Sequence, residues 1–264
     1  MTTDTQQLIG FGLGSRPFER IDELPRTSRD VLGYRMGRAI PALYARLMLD
    51  LDLVMCGAVP EGPKILAANH PTTTDPFLML TWFTEPISIL VTGAAFQVPM
   101  FGSFLRRIGH IPVVAGRGRQ AVAEGIARLA AGQTVGIFPE GRLSPDGSLA
   151  PMRTGVARLA LSSGAPVIPM GIALDRSRVR SLPAEIEGST EVAKLAAGGP
   201  YAVAIGEPMS FCGDANDRLH VREVAAQIGE HIAALSWRSA DRLPDVERWT
   251  TPNFTLTRNA QPVI

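Results

Sequence analysis

The sequence contains little cysteine or lysine and no long hydrophobic run. Its two cysteines, Cys56 and Cys212, have a separation that fits neither a disulfide framework nor a zinc site. No apolar stretch reaches the roughly 18 residues of a membrane-spanning helix. The N-terminal MTTDTQQ lacks the basic and apolar regions of a signal peptide. We therefore expect a cytoplasmic protein that is soluble or bound to a membrane surface.

The chain has ample apolar material for a core. It is 45% hydrophobic and only 19% charged over 264 residues, a composition typical of a folded domain and of a length that suits one large domain. The four histidines are scattered and no carboxylate cluster has the spacing of metal ligands. We expect no metal and no bound cofactor.

Positive charge is concentrated in one part of the chain. The net charge is +1, but residues 101–180 hold 11 arginines and four acidic residues. Such an excess favours an anionic partner, either phosphate or an anionic lipid, rather than nucleic acid. The alternative is that arginine is simply the usual cation of this chain, which has 24 arginines and two lysines.

Short apolar runs alternate with helical patterns over most of the chain. The runs KILAA, ISILV, IPVVA, TVGIF and PVIPMGI are predicted strands, and residues 119–131 and 153–163 are predicted helices. This alternation predicts a single α/β domain with a mostly parallel central sheet covered by helices on both faces.

Three segments follow from this pattern. Residues 1–49 are an N-terminal part with an amphipathic helix over 27–49, residues 50–236 are the main domain, and residues 237–264 are an irregular tail. The helix over 27–49 rests either on a membrane surface through its apolar face or on the core. Within the domain, residues 175–199 are predicted to be a polar connection that covers the site, and residues 217–236 a closing helix.

The stretch NHPTTTDPF, residues 69–77, places a histidine and an aspartate on one tight turn. Asp75 before Pro76 is a predicted helix N-cap. A carboxylate that accepts from one imidazole N–H orients the ring, so that the other nitrogen acts as a base. Since no G-x-S-x-G motif is present, His70 with Asp75 predicts a base that activates a hydroxyl of the substrate in a ternary complex.

Two further polar clusters end predicted strands. FPEGRLSPDG, residues 138–147, offers Glu140, and Arg142 suited to clamping a phosphate. AGRGRQAVAEG follows IPVVA and contains a Gly116-x-Gly118-x-x-Ala121 pattern. That pattern is consistent with a plain phosphate loop at a helix N-terminus or, as the alternative, with a nucleotide-dependent oxidoreductase. We expect all three clusters at the carboxyl edge of the sheet.

Four blocks together resemble a known family. NHPTTTD, VPMFGSFLRRIGHIPV, FPEGRLSPDG and VIPMGI occur in the order and at the spacings of the glycerolipid acyltransferases, the 1-acylglycerol-3-phosphate and lysophospholipid acyltransferases with the His-x4-Asp motif. The resemblance covers about residues 50–236 and implies a glycerol-3-phosphate acyltransferase-like fold.

The resemblance also implies an activity. It is acyl transfer from acyl-CoA or acyl carrier protein to a lysophospholipid hydroxyl, by a peripheral protein on the inner face of the cell membrane. His70 would be the general base and Asp75 its orienting group. The other implied site residues bind the acceptor or its phosphate (Arg117, Arg119, Glu140, Gly141, Arg142 and Arg153) or form the floor beside the acyl chain (Val167, Ile168 and Pro169).

This sequence departs from the family pattern around the phosphate. Arg142 stands where the family commonly has threonine, and Leu143 where it has arginine. Two inserted residues displace the arginine after IPV, so both Arg117 and Arg119 are candidates, and Arg153 stands at a usual lysine position. A specialised acceptor outside the glycerolipids is therefore the alternative substrate.

Overall fold

The computed structural model of the chain describes residues 28–145, 149–186 and 189–244. The strands are Leu49–Met55 (β1), Ile65–Ala68 (β2), Ile87–Thr92 (β3), Ile111–Val113 (β4), Thr134–Ile137 (β5), Val167–Leu174 (β6), Val179–Ile186 (β7), Ser189–Ala196 (β8) and Gly199–Ile205 (β9). The α-helices are Ser28–Met48 (α1), Asp75–Trp82 (α2), Phe101–Arg107 (α3), Gly118–Ala130 (α4), Gly155–Ser163 (α5) and Arg218–Ala240 (α6). Gly93–Gln97 and Arg176–Arg178 are short 3₁₀ turns.

Seven of these strands form one sheet in the order β1-β9-β6-β2-β5-β3-β4. Every neighbouring pair is parallel except β6 with β9. The exception has a local cause, because β6 is joined to β9 by a β-hairpin and not by a crossover helix. The prediction of a mostly parallel sheet is confirmed.

Helices cover both faces of the sheet. Along β2, Leu66 and Ala68 belong to a core shared with α1 and α2, whereas Ile65 and Ala67 belong to a core shared with α4, α5 and α6. All four side chains are fully buried. Since successive side chains of a strand point to opposite faces, a strand buried on both sides must be apolar throughout, as KILAA is.

Helix α6 packs directly on the sheet at Gly171 of β6, where no side chain separates the two backbones. A Cβ atom at Gly171 would come within 2.0 Å of the backbone of Leu235 and Ser236. The Ser239 hydroxyl also donates to the Gly171 carbonyl (2.8 Å), and Ser239 and Ala240 are buried. The closing helix therefore continues to Ala240, four residues beyond the predicted end, and the irregular tail does not begin at residue 237.

Other boundaries differ in detail from the prediction. Residues 175–199 contain the hairpin β7–β8 and not an unstructured connection. Between β3 and β4 the chain forms a 3₁₀ turn and then α3, which are separated at Pro99. Helix α1 begins at Ser28, the first described residue. The predicted helix start at residue 27 therefore lies outside the described part of the chain, as do the rest of residues 1–27 and residues 245–264.

Candidate active site

The site lies where two neighbouring parallel strands end. Ala67 of β2 is paired with Ile137 of β5, so His70 and Glu140, each three residues further on, are level with one another. The helix that follows β2 packs on one face of the sheet, and the helix that follows β5 packs on the other. Crossovers that leave in opposite directions open a crevice between the strand ends, where ligands of open α/β sheets bind.

His70 and Asp75 are in direct contact. Nδ1 of His70 lies 3.1 Å from Oδ2 of Asp75. The Asp75 side chain is fully buried, whereas that of His70 retains 17% of its accessible surface. A buried carboxylate next to Nδ1 favours the tautomer with the proton on Nδ1. That tautomer leaves Nε2 with a lone pair that can accept a proton.

Three other donors complete the environment of Asp75. The Thr72 N–H donates to Oδ2 (2.7 Å), and the hydroxyls of Thr72 and Tyr201 donate to Oδ1, the latter at 2.8 Å. Asp75 is also the first residue of α2, where the helix dipole favours a negative charge. Thr74, not Asp75, occupies the N-cap position, which corrects the predicted cap by one residue.

The His70 ring is also held by an aromatic neighbour. It stacks on Phe138, with ring centroids 4.2 Å apart and an angle of 27° between the planes. Phe138 follows β5 directly and is buried. Stacking on one face and the Asp75 bond at Nδ1 together fix the orientation of the imidazole.

Glu140 braces the His70 loop and does not face the acceptor as predicted. Its Oε1 accepts from the His70 N–H (2.9 Å) and the Ser144 hydroxyl (2.6 Å), and its Oε2 accepts from the Ala150 N–H (2.7 Å). Only 2% of the residue is exposed. Burial raises the pKa of the Glu140 carboxyl, and these three hydrogen bonds act in the opposite direction. The carboxylate is thus used to hold backbone in place.

The loops after β2 and β5 are tied together in both directions. Besides the bond from His70 N–H to Glu140, the Ser144 N–H donates to the His70 carbonyl (2.7 Å). The hydroxyl of Ser144 donates to Glu140 and lies 3.1 Å from the His70 backbone nitrogen. Its bonds are to the loop backbone and to Glu140, not to the imidazole, so Ser144 is not arranged as a nucleophile activated by His70.

Strand β8 holds the threonine part of the motif. The Thr73 N–H donates to the Lys194 carbonyl (2.7 Å), and the Lys194 N–H donates to the Thr73 hydroxyl (3.1 Å). The Ala196 N–H donates to the Thr74 hydroxyl (3.1 Å). The predicted connection over residues 175–199 does contact the site, and it does so as a strand edge.

The four predicted phosphate-binding arginines are all exposed: Arg117, Arg119, Arg142 and Arg153. Among the residues described by the structure, no carboxylate forms an ion pair with any of them. Arg117 and Arg119 follow β4, which is three strands away from β2 in the sheet. At the usual strand spacing of about 4.8 Å, this loop is about 14 Å from the end of β2. Unpaired guanidinium groups at a sheet edge are suited to an anionic ligand.

The turn at Gly141 is packed against the side chain of Arg153. Its φ of +66° lies in the left-handed region, and a Cβ there would come within 2.5 Å of Nε of Arg153. The side chain of Arg153 therefore crosses directly over the Gly141 backbone. Any larger residue at position 141 would displace that guanidinium as well as strain the turn.

Val167, Ile168 and Pro169, the predicted floor residues, lie below the level of His70 on β6. Ala68 of β2 pairs with Met170 of β6, so the level of His70 corresponds to Ile172. The three predicted residues lie three to five positions further down β6, about 10–17 Å from that level at about 3.3 Å per residue. All three are buried in the sheet, and Val167 and Ile168 belong to the cores on its two faces.

Several residues that shape the site were not predicted. Tyr201 and Phe138 contact the pair directly, Thr72 bonds the carboxylate, and Ser144 ties the loops. Asn69 continues the ladder between β2 and β6 through two bonds to the Ile172 backbone (2.7 and 2.9 Å). The available signals were local: a polar residue directly after an apolar strand, and a threonine three residues before the aspartate.

The alternative chemistries predicted from the sequence are not supported by this arrangement. The Gly116–Ala121 loop follows the edge strand β4, and Glu140, the acid that a nucleotide site would need, is already bonded on both oxygens. No group of three or more potential metal ligands occurs among the residues for which the structure gives positions.

Comparison with known proteins agrees with the resemblance. Residues 54–173 match the model of the family described as Acyltransferase. The chain is 31% identical over 116 residues to the 1-acyl-sn-glycerol-3-phosphate acyltransferase of Pseudomonas aeruginosa, covering 42% of this chain and 45% of that protein. It is 28% identical over 129 residues to the enzyme of the same name from Borreliella burgdorferi, covering 47% and 52%.

A solved structure shares the fold. The crystal structure of the 1-acyl-sn-glycerophosphate (LPA) acyltransferase PlsC from Thermotoga maritima matches with a TM-score of 0.52 and 22% identity, covering 76% of this chain and 78% of that one. The residues matched by the family model include His70, Asp75 and Glu140 of the edge site. The chain is similar to these acyltransferases, and its matches span about half the length of the curated relatives.

Proposed function

We propose that this protein transfers a fatty acyl group from acyl-CoA or acyl carrier protein to the hydroxyl of a lysophospholipid such as 1-acylglycerol-3-phosphate. The observation that carries the proposal is the contact of His70 Nδ1 with the buried carboxylate of Asp75, with the imidazole still partly exposed at the edge crevice. An oriented imidazole in a ligand crevice is the arrangement that general base catalysis requires.

The proposed reaction uses the tautomer of His70 in which Nε2 carries no proton. Nε2 of His70 removes the proton from the acceptor hydroxyl while that oxygen attacks the thioester carbonyl carbon. The tetrahedral intermediate collapses with cleavage of the C–S bond, and the proton on the imidazolium is returned to the departing thiolate. Asp75 stabilises the imidazolium between these two steps. No covalent acyl-enzyme is needed, so both substrates must be bound together.

The acceptor is proposed to be anionic because of the arginines. Arg142 and Arg153 are exposed beside Gly141, which directly follows the residue that braces His70. Each guanidinium can give a phosphate two parallel hydrogen bonds. The names of the matched relatives specify a 1-acyl-sn-glycerol-3-phosphate acceptor. A specialised anionic acceptor is the second candidate, because the arginine pattern of this chain departs from the usual one.

We also propose that α1 attaches the protein to a membrane surface, at the cytoplasmic face. Tyr34 and Ala45 of α1 are buried against the domain, yet Met36, Ile40 and Leu43 on another side are exposed by 63%, 74% and 57%. No helix in the described ranges has the length and apolarity to span a bilayer. A helix with a second, solvent-facing apolar stripe suits the interface of a bilayer.

The position of α1 supports this docking. The Tyr44 hydroxyl bonds to the carbonyl of Ala196, and the Ala196 N–H in turn bonds to Thr74 of the site loop. The C-terminal half of α1 is therefore close to the crevice. A surface that binds lipid beside the site would deliver a lysophospholipid directly from the membrane.

The decisive experiment measures thiol release from acyl-CoA and from acyl carrier protein, with and without a panel of lysophospholipids. We expect acceptor-dependent release by the wild-type protein. His70→Ala should lower the rate by about 10²–10⁴, the usual contribution of a general base, without lowering Tm. His231→Ala, a change at an exposed histidine of α6, is the matched control.

Each other result has a defined meaning. Release without any acceptor would indicate a hydrolase, and lipid binding without release would indicate a binding module. Near wild-type turnover by His70→Ala would exclude His70 as the base. A saturable thermal shift with NAD(P) and none with long-chain acyl-CoA would support the oxidoreductase alternative.

A further inference from the structure

Tyr201 contacts the catalytic pair from a distant part of the chain. It lies on β9, paired with Leu174 of the antiparallel strand β6, and is fully buried. Its hydroxyl donates to Oδ1 of Asp75 at 2.8 Å. Nothing in the spacing of the His-x4-Asp motif points to this residue, and the mechanism described above does not use it.

The two oxygens of Asp75 have separate partners. Oδ2 lies next to Nδ1 of His70 and accepts from the Thr72 N–H. Within the described residues, Oδ1 accepts from two hydroxyls, those of Thr72 and Tyr201. A carboxylate with one oxygen anchored can still turn about its Cβ–Cγ bond, so the bonds at Oδ1 determine whether Oδ2 stays directed at the imidazole.

Tyr201 is a permanent donor to this carboxylate. Burial and, after it, the charge of Asp75 raise the pKa of Tyr201 well above its usual value, so its hydroxyl remains protonated throughout the physiological range. The Thr72 hydroxyl differs in this respect, because it also lies within donating distance of the Thr74 hydroxyl (3.2 Å) and belongs to the same loop as the carboxylate that it bonds. Among the donors to Asp75 in the described part of the chain, Tyr201 is the one that lies on a strand of the seven-stranded sheet.

We propose that the Tyr201 hydroxyl is a positioning group, which anchors Asp75 to the central sheet and thereby holds the His70 imidazole in the tautomer and orientation of a base. The inference rests on the proposed function for its kinetic consequence, but its structural content concerns only the three side chains. Tyr201 touches neither substrate nor the reacting atoms.

The test is Tyr201→Phe, which removes the hydroxyl and keeps the ring. We expect kcat to fall by about 10-fold or more, as for other groups that orient a catalytic side chain, with an unchanged KM for the acceptor. In ¹⁵N NMR of His70, the fraction of the tautomer with the proton on Nε2 should increase. The reason is that the Asp75 carboxylate is no longer held in the position that favours a proton on Nδ1.

Tyr34→Phe is the matched control. The Tyr34 hydroxyl is also buried, accepts from the Ile87 N–H (3.0 Å), and is remote from the site at the start of β3. We expect this variant to lose some stability, with kcat and the His70 tautomer as in the wild type. If Tyr201→Phe behaves in the same way, with lower Tm alone, Tyr201 is merely structural and the proposal is wrong.

The two readouts separate this proposal from the proposed function. If the wild-type protein transfers no acyl group, the proposed function fails, and the NMR measurement still decides the role of Tyr201. If the wild-type protein is active and Tyr201→Phe retains both its kcat and its His70 tautomer, the proposed function stands and the positioning role is excluded.

Discussion

A carboxylate removed from water, such as that of Asp75, destabilises a fold unless its oxygens are all bonded. Here four donors surround one buried side chain, and three of them come from the backbone or hydroxyls of Thr72 and Tyr201. Desolvation of an unpaired ion costs several kcal/mol. The number of partners therefore explains how a charged group can persist in the interior and still interact with His70.

Arg142 provides a test of acceptor binding at the level of a single side chain. Loss of one charged hydrogen bond costs about 1.5–3 kcal/mol, so Arg142→Ala should raise the KM for the acceptor about 10- to 100-fold. We expect kcat to change little, because the guanidinium binds the phosphate equally in the ground and transition states.

Steady-state kinetics with varied acceptor checks this expectation. Arg222→Ala, a change at an exposed arginine of α6, is the control for general charge effects. An unaltered acceptor KM in Arg142→Ala would show that another arginine, either Arg117, Arg119 or Arg153, holds the phosphate.

Helix α1 illustrates how one element can serve two surfaces. Gly37 allows close contact with the domain, since a Cβ there would come within 2.5 Å of the Phe104 ring. The exposed residues Ile40, Leu43 and Leu47 follow at intervals of three and four, the spacing of one helical face. The packed side fixes the helix, and the exposed side remains available.

The triple variant Ile40→Ser, Leu43→Ser and Leu47→Ser tests this exposed face. Its co-sedimentation with vesicles of phosphatidylglycerol and phosphatidylethanolamine should fall at least several-fold, because apolar surface near the bilayer supplies the binding energy. Tm should be nearly unchanged, since these side chains are outside the core. Leu219→Ser, at an exposed leucine of α6, is the control, and equal vesicle binding by all three proteins would exclude α1 as the docking element.

The stability of the whole molecule is expected to depend on pH through His110. This residue is buried with Nδ1 accepting from the Ile89 N–H, and burial lowers its pKa from 6.5 to about 3. The unfolded chain takes up a proton below about pH 6.5 and the folded protein does not, so stability is lost as the pH falls between these two values.

Protonation of His110 in the unfolded chain should lower the free energy of unfolding by about 2 kcal/mol between pH 7 and pH 5. Urea unfolding at both pH values measures it. His110→Asn keeps an acceptor near the Ile89 N–H and has no group that titrates, so its free energy of unfolding should fall by about 2 kcal/mol less over the same interval. Parallel pH dependence in the two proteins would contradict the assignment.

Much of the whole-molecule architecture could be predicted because β2 and β5 are apolar throughout and end in polar clusters. Alternating strands and helices require a parallel sheet, and a parallel sheet brings His70 and Glu140 to one edge. The role of Glu140 was wrong because sequence does not show burial, and a carboxylate at a strand end can bond either backbone or ligand.

Two other differences between expectation and structure have a topological cause. β6 runs to Leu174, so its residues at the level of the site come after Val167–Pro169 and not within them. Tyr201 was missed because β9 returns antiparallel to β6, and contacts between distant antiparallel segments leave no periodic signal. The hairpin β7–β8 was missed because its residues are polar and mixed in pattern.

The separation of Asp75 from Tyr201 has a consequence for how the protein is made. The two residues are 126 positions apart, and at about 5–20 residues per second a ribosome needs about 6–25 s to synthesise the chain between them. During that time a nascent protein already contains its histidine and aspartate without the strand that anchors them. The proposed acyl transfer should therefore begin only after residue 205 has left the exit tunnel and β9 has joined the sheet.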